Sequence, residues 1–426
     1  MRDAIFTVGA QVSAGIGSLI GLRILTEVLN PTQYGTMAIL MTAISIISIA
    51  YTGPLSNSAG RFYASAVAEK KTAQYYNSIT VLMIPLDLIV IIACATALFL
   101  YPEDLKMLES GDEIKILIAL ALYAVIEAKY TILDNIANAA QKRILVFVSK
   151  TLKIWGMYSI VYLLAKNYDL KLSDVLLSYA ASTFLVVVFL FLNVVPKEVL
   201  NIKKYSKGYI RSLFAYAWPF ATWGVTLWAY NASSRFAVQK FQNIEEVANI
   251  AILVQLGSLP INFCVSALTA YLLPLYFEKA AGQNFANGIF HVYTSVLKWA
   301  SISAVCLAMG FILAQFSAEL VFQLLVADTY RDLYFLWPYS LTSFGLLGVA
   351  QVFSMALRAE SASTVLVIPK NISYTIGCVL VTVGAYQDGI WGVLLALNAT
   401  GIIHLVWIIR IFVKRYHNHK LMNTII

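Results

Sequence analysis

The sequence predicts an all-α polytopic membrane protein of about twelve transmembrane helices, in two six-helix lobes with both termini in the cytoplasm. Three observations carry this. Of 426 residues, 60% are hydrophobic and 12% charged, against about 25% charged in a soluble chain, and mean hydropathy is +0.76. Apolar runs of about 20 residues, enough to cross a hydrocarbon core of about 30 Å, recur along the whole chain. The connections between them are short, and Lys and Arg gather in every second one. A soluble enzyme, a disordered chain and a fibrous repeat are excluded.

The spans fall near 5–28, 35–59, 79–101, 114–140, 144–165, 174–195, 210–232, 247–277, 289–316, 332–357, 364–385 and 389–413. Gly53-Pro54 is expected to interrupt the second, and Pro260 and Pro274 to kink the eighth. With the N-terminus and every second loop inside, the cytoplasmic side holds seventeen Lys and Arg and the opposite side six. The 102–113 loop on that opposite side is acidic. The stretch with Lys197, Lys203, Lys204, Lys207 and Arg211 is the most basic. It divides the chain into an N-terminal lobe (1–196), a basic cytoplasmic linker (197–209), a C-terminal lobe (210–416) and a cytoplasmic tail (417–426). The net charge of +8 is thus a topology signal rather than a nucleic-acid footprint.

The two halves resemble each other. Arg23 to Leu40 can be laid on Arg235 to Leu253 with one insertion: an Arg late in the first helix of each half, a polar break, then an apolar helix. An even number of spans per half gives the two the same orientation, as in parallel-repeat transporters that alternate access around a central site. Cys94, Cys264, Cys306 and Cys378 lie in apolar runs without Cys-x-x-Cys spacing, so neither a disulfide framework nor a zinc site is expected. The stretch after Met1-Arg2-Asp3 is too long for a signal core and has no small-residue cleavage site.

Several stretches resemble one family. Leu25-Thr-Glu-Val-Leu-Asn-Pro-Thr-Gln-Tyr-Gly35 is similar to the "LLGPEEYG" step that ends the first span of polysaccharide flippases. Ala59-Gly-Arg-Phe-Tyr63 resembles their "RY/RF" ending of the second span, and Asn138-Ala-Ala-Gln-Lys-Arg143 their "AxGR" turn after the fourth. Ser234-Arg235-Phe236 through Leu253 resembles their "DRFILGYFLGPEAVGYYAIA" stretch, with Ser234 where the acid usually stands. The family is the polysaccharide and O-antigen flippases of the multidrug/oligosaccharidyl-lipid/polysaccharide exporter superfamily. The resemblance implies a two-lobed, V-shaped fold in the bacterial inner membrane. It also implies transfer of an undecaprenyl-diphosphate-linked oligosaccharide, an O-antigen or capsule repeat unit, by alternating access. An ion-coupling role for position 234 does not carry over.

A charge at mid-membrane costs roughly 2.5–3.5 kcal/mol on insertion scales, so each one faces a partner or a polar interior. Glu127, Thr131, Asp134, Asn138 and Gln141 form one helical stripe on the fourth span, and Lys150 and Lys153 on the fifth lie within ion-pair reach of Asp134. Arg23 and Glu27 are spaced to pair. Lys129, Lys298 and Lys370 have no obvious local partner. The cargo implied by the resemblance, with about two negative charges on its diphosphate, calls for a cationic cavity between the lobes. Its candidate residues are Arg23, Arg61, Lys129, Lys150, Lys153, Arg235, Lys298 and Lys370, with Arg61 level with lipid headgroups. Tyr51, Trp218, Trp223, Trp228 and Tyr230 are candidate aromatic walls, and Asp87, Glu127 and Asp134 candidate carriers of a coupling ion, H+ or Na+.

Two other functions stay open. A drug/cation antiporter of the same superfamily favours an acidic cavity, whereas here internal basic residues outnumber acids six to four. A membrane glycan polymerase resembles chains with one large periplasmic loop, absent here. His291, His404, His417 and His419 lie near helix ends or in the tail and form no metal or acid/base constellation, and there is no Gly-Lys-Ser/Thr phosphate loop. No catalytic residue, metal or cofactor is expected. The expected partners are the lipid-linked oligosaccharide, membrane lipids and polysaccharide polymerases or glycosyltransferases, with no nucleic acid.

Overall fold

The computed structural model describes residues 2–100, 112–196, 205–280, 285–360 and 363–425. These residues form helices and no strand: α1 (Arg2–Val28), α2 (Pro31–Ile47), α3 (Gly53–Ala68), α4 (Thr72–Leu100), α5 (Glu113–Ala139), α6 (Arg143–Ala165), α7 (Leu172–Val194), α8 (Lys207–Phe241), α9 (Ile244–Ala280), α10 (Phe285–Leu325), α11 (Trp337–Ala359) and α12 (Val367–Ile425). Ten stretches of helix are long and apolar enough to cross a membrane. The last of them is two helices joined at Asp388 (φ −131°) and Gly389 (φ 57°), and α8, rich in Tyr and Trp, supplies a further 35-residue length. With α2 and α3 making one span and the last stretch counted as two, the described helices are compatible with the expected number of about twelve.

The polar breaks of the sequence are helix starts. Asn30 caps α2: the Gln33 N–H donates to Asn30 Oδ1 (2.8 Å), the Asn30 N–H donates back to Gln33 Oε1 (3.3 Å), and Pro31 occupies the first turn, where no N–H is needed. Gly53-Pro54 does not interrupt the second span. A π-helical turn over Ser48–Thr52 widens the helix so that the Gly53 N–H reaches back to Ser48 O. This makes room for the ring of Pro54, and the helix continues to Ala68. Helix α9 likewise continues through Pro260 and Pro274.

The chain forms two compact units, Met1–Trp228 and Ala229–Ile426. Their boundary lies inside α8, while most of the basic linker expected at 197–209 lies outside the described residues. In the first unit α5 packs along α7 and α3, around a core that includes Leu55, Tyr75, Tyr76, Ile136, Leu190 and Leu213. In the second, α11 is wrapped by α9, α10 and α12, with Tyr293, Phe353 and Phe412 at its centre. Glu360 ties three helices there: it accepts from Tyr293 Oη (2.6 Å) and Arg415 Nη1 (2.6 Å) and meets His419 Nε2 (3.2 Å).

Candidate functional site

The polar stripe of α5 meets α6 across a tight turn. Gln141 adopts φ 57°, the Lys142 N–H returns to Ala137 O (3.0 Å), and α6 starts at Arg143. Residues at matching distances from this turn therefore face each other. Lys150 Nζ lies 3.7 Å from Asp134 Oδ2, and Lys153 Nζ donates to Glu127 Oε1 at 2.5 Å. Ser149 Oγ donates to Asp134 Oδ1 (3.2 Å), and the Lys153 ammonium stands 4.1 Å from the centroid of Tyr130, between the two carboxylates. On another face of α5, Lys129 Nζ donates to both oxygens of Asp87 on α4, at 2.9 and 2.8 Å. Lys129 is thus not a surplus cation. Its partner lies 42 residues away in sequence, beyond the reach of local spacing. Arg23 pairs with Glu27 at 2.5 Å, as their i,i+4 spacing predicts. Each of the three internal lysines of this unit is balanced by a carboxylate, so the unit is polar and ion-paired rather than an open field of positive charge.

Arg61 is different. It is exposed on a cleft of about 560 Å³ whose walls include Asn57, Gly60 and Ala64 of α3, Asn135 and Asn138 of α5, and Tyr216 and Phe220 of α8. Gly60 lets α3 approach α5: a Cβ there would stand 2.6 Å from Asn135 Oδ1. The result is a guanidinium, three amides and two aromatic rings around one space. Such groups hydrogen-bond phosphate and sugar hydroxyls and stack on sugar faces. Of this set, sequence reasoning singled out Arg61 and Asn138. The others lie on three helices whose faces only packing brings together.

Sequence reasoning passed over a set in the second unit. His404 lies in the second half of α12 and is 3% exposed; it stacks on Tyr374 (5.5 Å) and its Nδ1 has no hydrogen-bond partner among the described residues. Lys370 on α12 lies within electrostatic reach of both His404 and Arg358 of α11. The histidine is therefore interior, not peripheral as its place in the sequence suggests. Lys298 is exposed on α10, and Arg235 Nη1 reaches Asn231 O at 3.5 Å. The structure thus groups Lys150 and Lys153 in the first unit and Lys370 with Arg358 and His404 in the second, each unit by itself. Of the expected aromatic walls, Tyr51 donates to Leu82 O (2.5 Å), Trp228 to Thr42 O (2.9 Å), and Tyr230 stacks on Tyr374 (5.1 Å), so these rings are engaged in packing. Trp218 is exposed beside Phe214. No group of His, Cys, Asp and Glu able to hold a metal occurs among the described residues.

A family model described as polysaccharide biosynthesis protein matches residues 1–279. No curated protein sequence matches the chain. Among solved structures, the chain is similar to an inward-facing multidrug resistance MATE family transporter of the MOP superfamily, with a TM-score of 0.71 at 12% identity over 98% of this chain and 95% of that one. It is similar to the lipid II flippase MurJ in an inward closed conformation, with a TM-score of 0.71 at 13% identity over 100% and 92%. A MOP superfamily transporter from Pyrococcus furiosus, described by the reverse polarity of its binding pocket, gives 0.61 at 12% identity over 96% of both chains. At such identities the likeness is one of fold. Ten described helices long and apolar enough to cross a membrane, that shared fold and a family match over most of the chain lead to one conclusion: this is a multi-pass membrane protein that belongs to the polysaccharide biosynthesis protein family and has the fold of MOP superfamily transporters.

Proposed function

We propose that the protein is a flippase that carries a lipid-linked, diphosphate-bearing oligosaccharide across the bacterial inner membrane. The observation that carries this reading is the Arg61 cleft, where a guanidinium stands among Asn57, Asn135, Asn138, Tyr216 and Phe220 at the end of the second span. An Arg fork matches phosphate geometry, and amides with aromatic rings suit a sugar, so one cleft offers both chemistries of such a headgroup. The family match over 1–279 favours a glycan cargo over a cationic drug. Arg358 and Lys370, with the His404 ring within electrostatic reach of Lys370, offer a second station for the same anion in the second unit.

The test is replacement of the chromosomal gene by Arg61→Ala and Arg61→Lys variants at matched protein level. A lost charge-assisted hydrogen bond of about 1.5–3 kcal/mol corresponds to roughly 10- to 100-fold weaker headgroup binding. Arg61→Ala should therefore lower surface glycan and leave lipid-linked oligosaccharide in the cytoplasmic leaflet, while Arg61→Lys retains part of the export. Normal surface glycan in Arg61→Ala cells would remove the cleft from the mechanism.

A further inference from the structure

Glu127, Asp134, Lys150 and Lys153 form a four-group cluster that is electrically neutral as built, with two carboxylates on α5 and two ammoniums on α6. Its two ends differ. At the Glu127 end the ion pair is short, 2.5 Å, and Glu127 Oε2 is buried without a hydrogen-bond partner among the described residues. Glu127 also lines a cavity of about 160 Å³ with Ser45, Ser48 and Tyr123, beside the π-helical turn. A cavity of that size with hydroxyl groups on its wall has room for water. At the Asp134 end the pair is long, 3.7 Å, and the Lys150 side chain is 31% exposed. Asp134 lies four residues before Asn138 on the same stripe, about 6 Å along the helix, and Asn138 is a wall of the Arg61 cleft.

A neutral cluster cannot attract an anionic diphosphate, and it becomes attractive once a carboxylate is neutralised. We propose that Glu127 is a proton-loading site that gates an anion-binding station at Lys150, so that this unit takes up one proton with each diphosphate headgroup. A proton delivered by water bonds to Glu127 Oε2, and the cluster acquires one positive charge. Lys153, released from a neutral acid, turns across Tyr130 toward Asp134. Asp134 then no longer holds Lys150, whose ammonium binds a phosphate oxygen. Loss of the proton restores the Lys153–Glu127 pair and reverses each step. Other titratable groups on the elements packed against α5 include Tyr34 of α2, Tyr51 of the π-helical turn, Arg61 and Tyr63 of α3, Tyr75, Tyr76 and Asp87 of α4, Tyr158 and Tyr162 of α6, and Asp174 and Tyr179 of α7. On α5 itself stand Tyr123, Tyr130 and Lys129, the last held by Asp87. Lys153 is the group that ion-pairs with Glu127.

This inference rests on the flippase reading, and one experiment separates the two. The purified full-length protein in detergent is titrated with farnesyl-diphosphate-N-acetylglucosamine, a diphosphodiester whose own charge is constant between pH 6 and 8. One-proton linkage allows affinity to rise by up to about tenfold per pH unit as pH falls. The wild type should bind more tightly at pH 6 than at pH 8 and take up close to one proton per ligand in weakly buffered solution. Glu127→Gln, which mimics the protonated acid, should bind at both pH values as the wild type does at pH 6. Lys150→Ala should lose the pH-dependent gain, and Lys150→Arg keep it. Arg61→Ala should weaken binding equally at both pH values. Binding that is independent of pH, or a full pH slope in folded Glu127→Gln, overturns the proton gate and leaves the flippase reading standing. If Glu127→Gln does not elute as a monodisperse peak, proton uptake by the wild type and the Lys150→Ala slope decide. No binding by the wild type at either pH overturns both readings.

Discussion

At the residue scale, the internal charges of the first unit are best understood as pairs. Removing Lys129 leaves the Asp87 carboxylate without the ammonium that binds both its oxygens, and an unpaired charge within a membrane-spanning helix costs more than the absence of the whole pair. Lys129→Ala should therefore lower the melting temperature of the purified protein, and Asp87→Ala/Lys129→Ala should recover much of the loss. Equal melting temperatures for the single and double variants would show that the pair carries no structural load. Asp112, just before α5, is a second case, outside the membrane. Lys171, and then Lys115, hold its carboxyl below the usual range, each at 3.1 Å. A depressed folded-state value means that the stabilisation is present above the unfolded value of about 3.9 and disappears as pH falls through the folded one. Asp112→Asn should thus melt earlier than the wild type at pH 7, with the gap closing below about pH 4.

At the scale of elements, two close approaches set the geometry. The halves of α12 turn back on each other through Gly389 at φ 57°, and beside that turn backbone meets backbone. A Cβ on Gly384 would stand 2.4 Å from Gly392 O, and one on Gly392 2.2 Å from Gly384 O. Ala at either position forces the two halves apart, so Gly392→Ala should reduce the yield of folded protein far more than Gly310→Ala, where a Cβ meets nothing within 4 Å. Fluorescence-detected gel filtration of the two variants checks this. The π-helical turn is the other case. Sequence rules for Pro anticipate a broken helix at Gly53-Pro54, but in a membrane a break exposes backbone groups with no water to satisfy them. Widening one turn keeps nearly all of the hydrogen bonds and still accommodates the ring.

For the whole molecule, an even number of spans would put both termini on one side of the membrane, and the distribution of Lys and Arg predicts that this side is the cytoplasm. Alkaline phosphatase fused after Asn167 should be active, and fused after His419 inactive; the reverse result would invert the orientation. Most of the spans were legible in the sequence, because each is a local property of about 20 consecutive residues. So were the Arg23–Glu27 pair and the α5 stripe, since helical periodicity brings positions three and four apart together. The pairing of Lys150 with Asp134 was legible as one of two options, and the turn geometry selects it.

What sequence reasoning could not supply is each contact between residues far apart in the chain. Lys129 looked unpartnered because Asp87 is on another helix, and His404 looked peripheral because nothing in its neighbours shows that Tyr374 stacks on it. Composition, periodicity and charge distribution by themselves determined a multi-pass helical membrane protein with about twelve expected spans. These follow from how each short stretch partitions between water and lipid. Only the tertiary structure decided which cations are balanced and which face a cleft, because charge pairing at long range depends on how helices pack, and packing is a property of the folded surface rather than of any one segment.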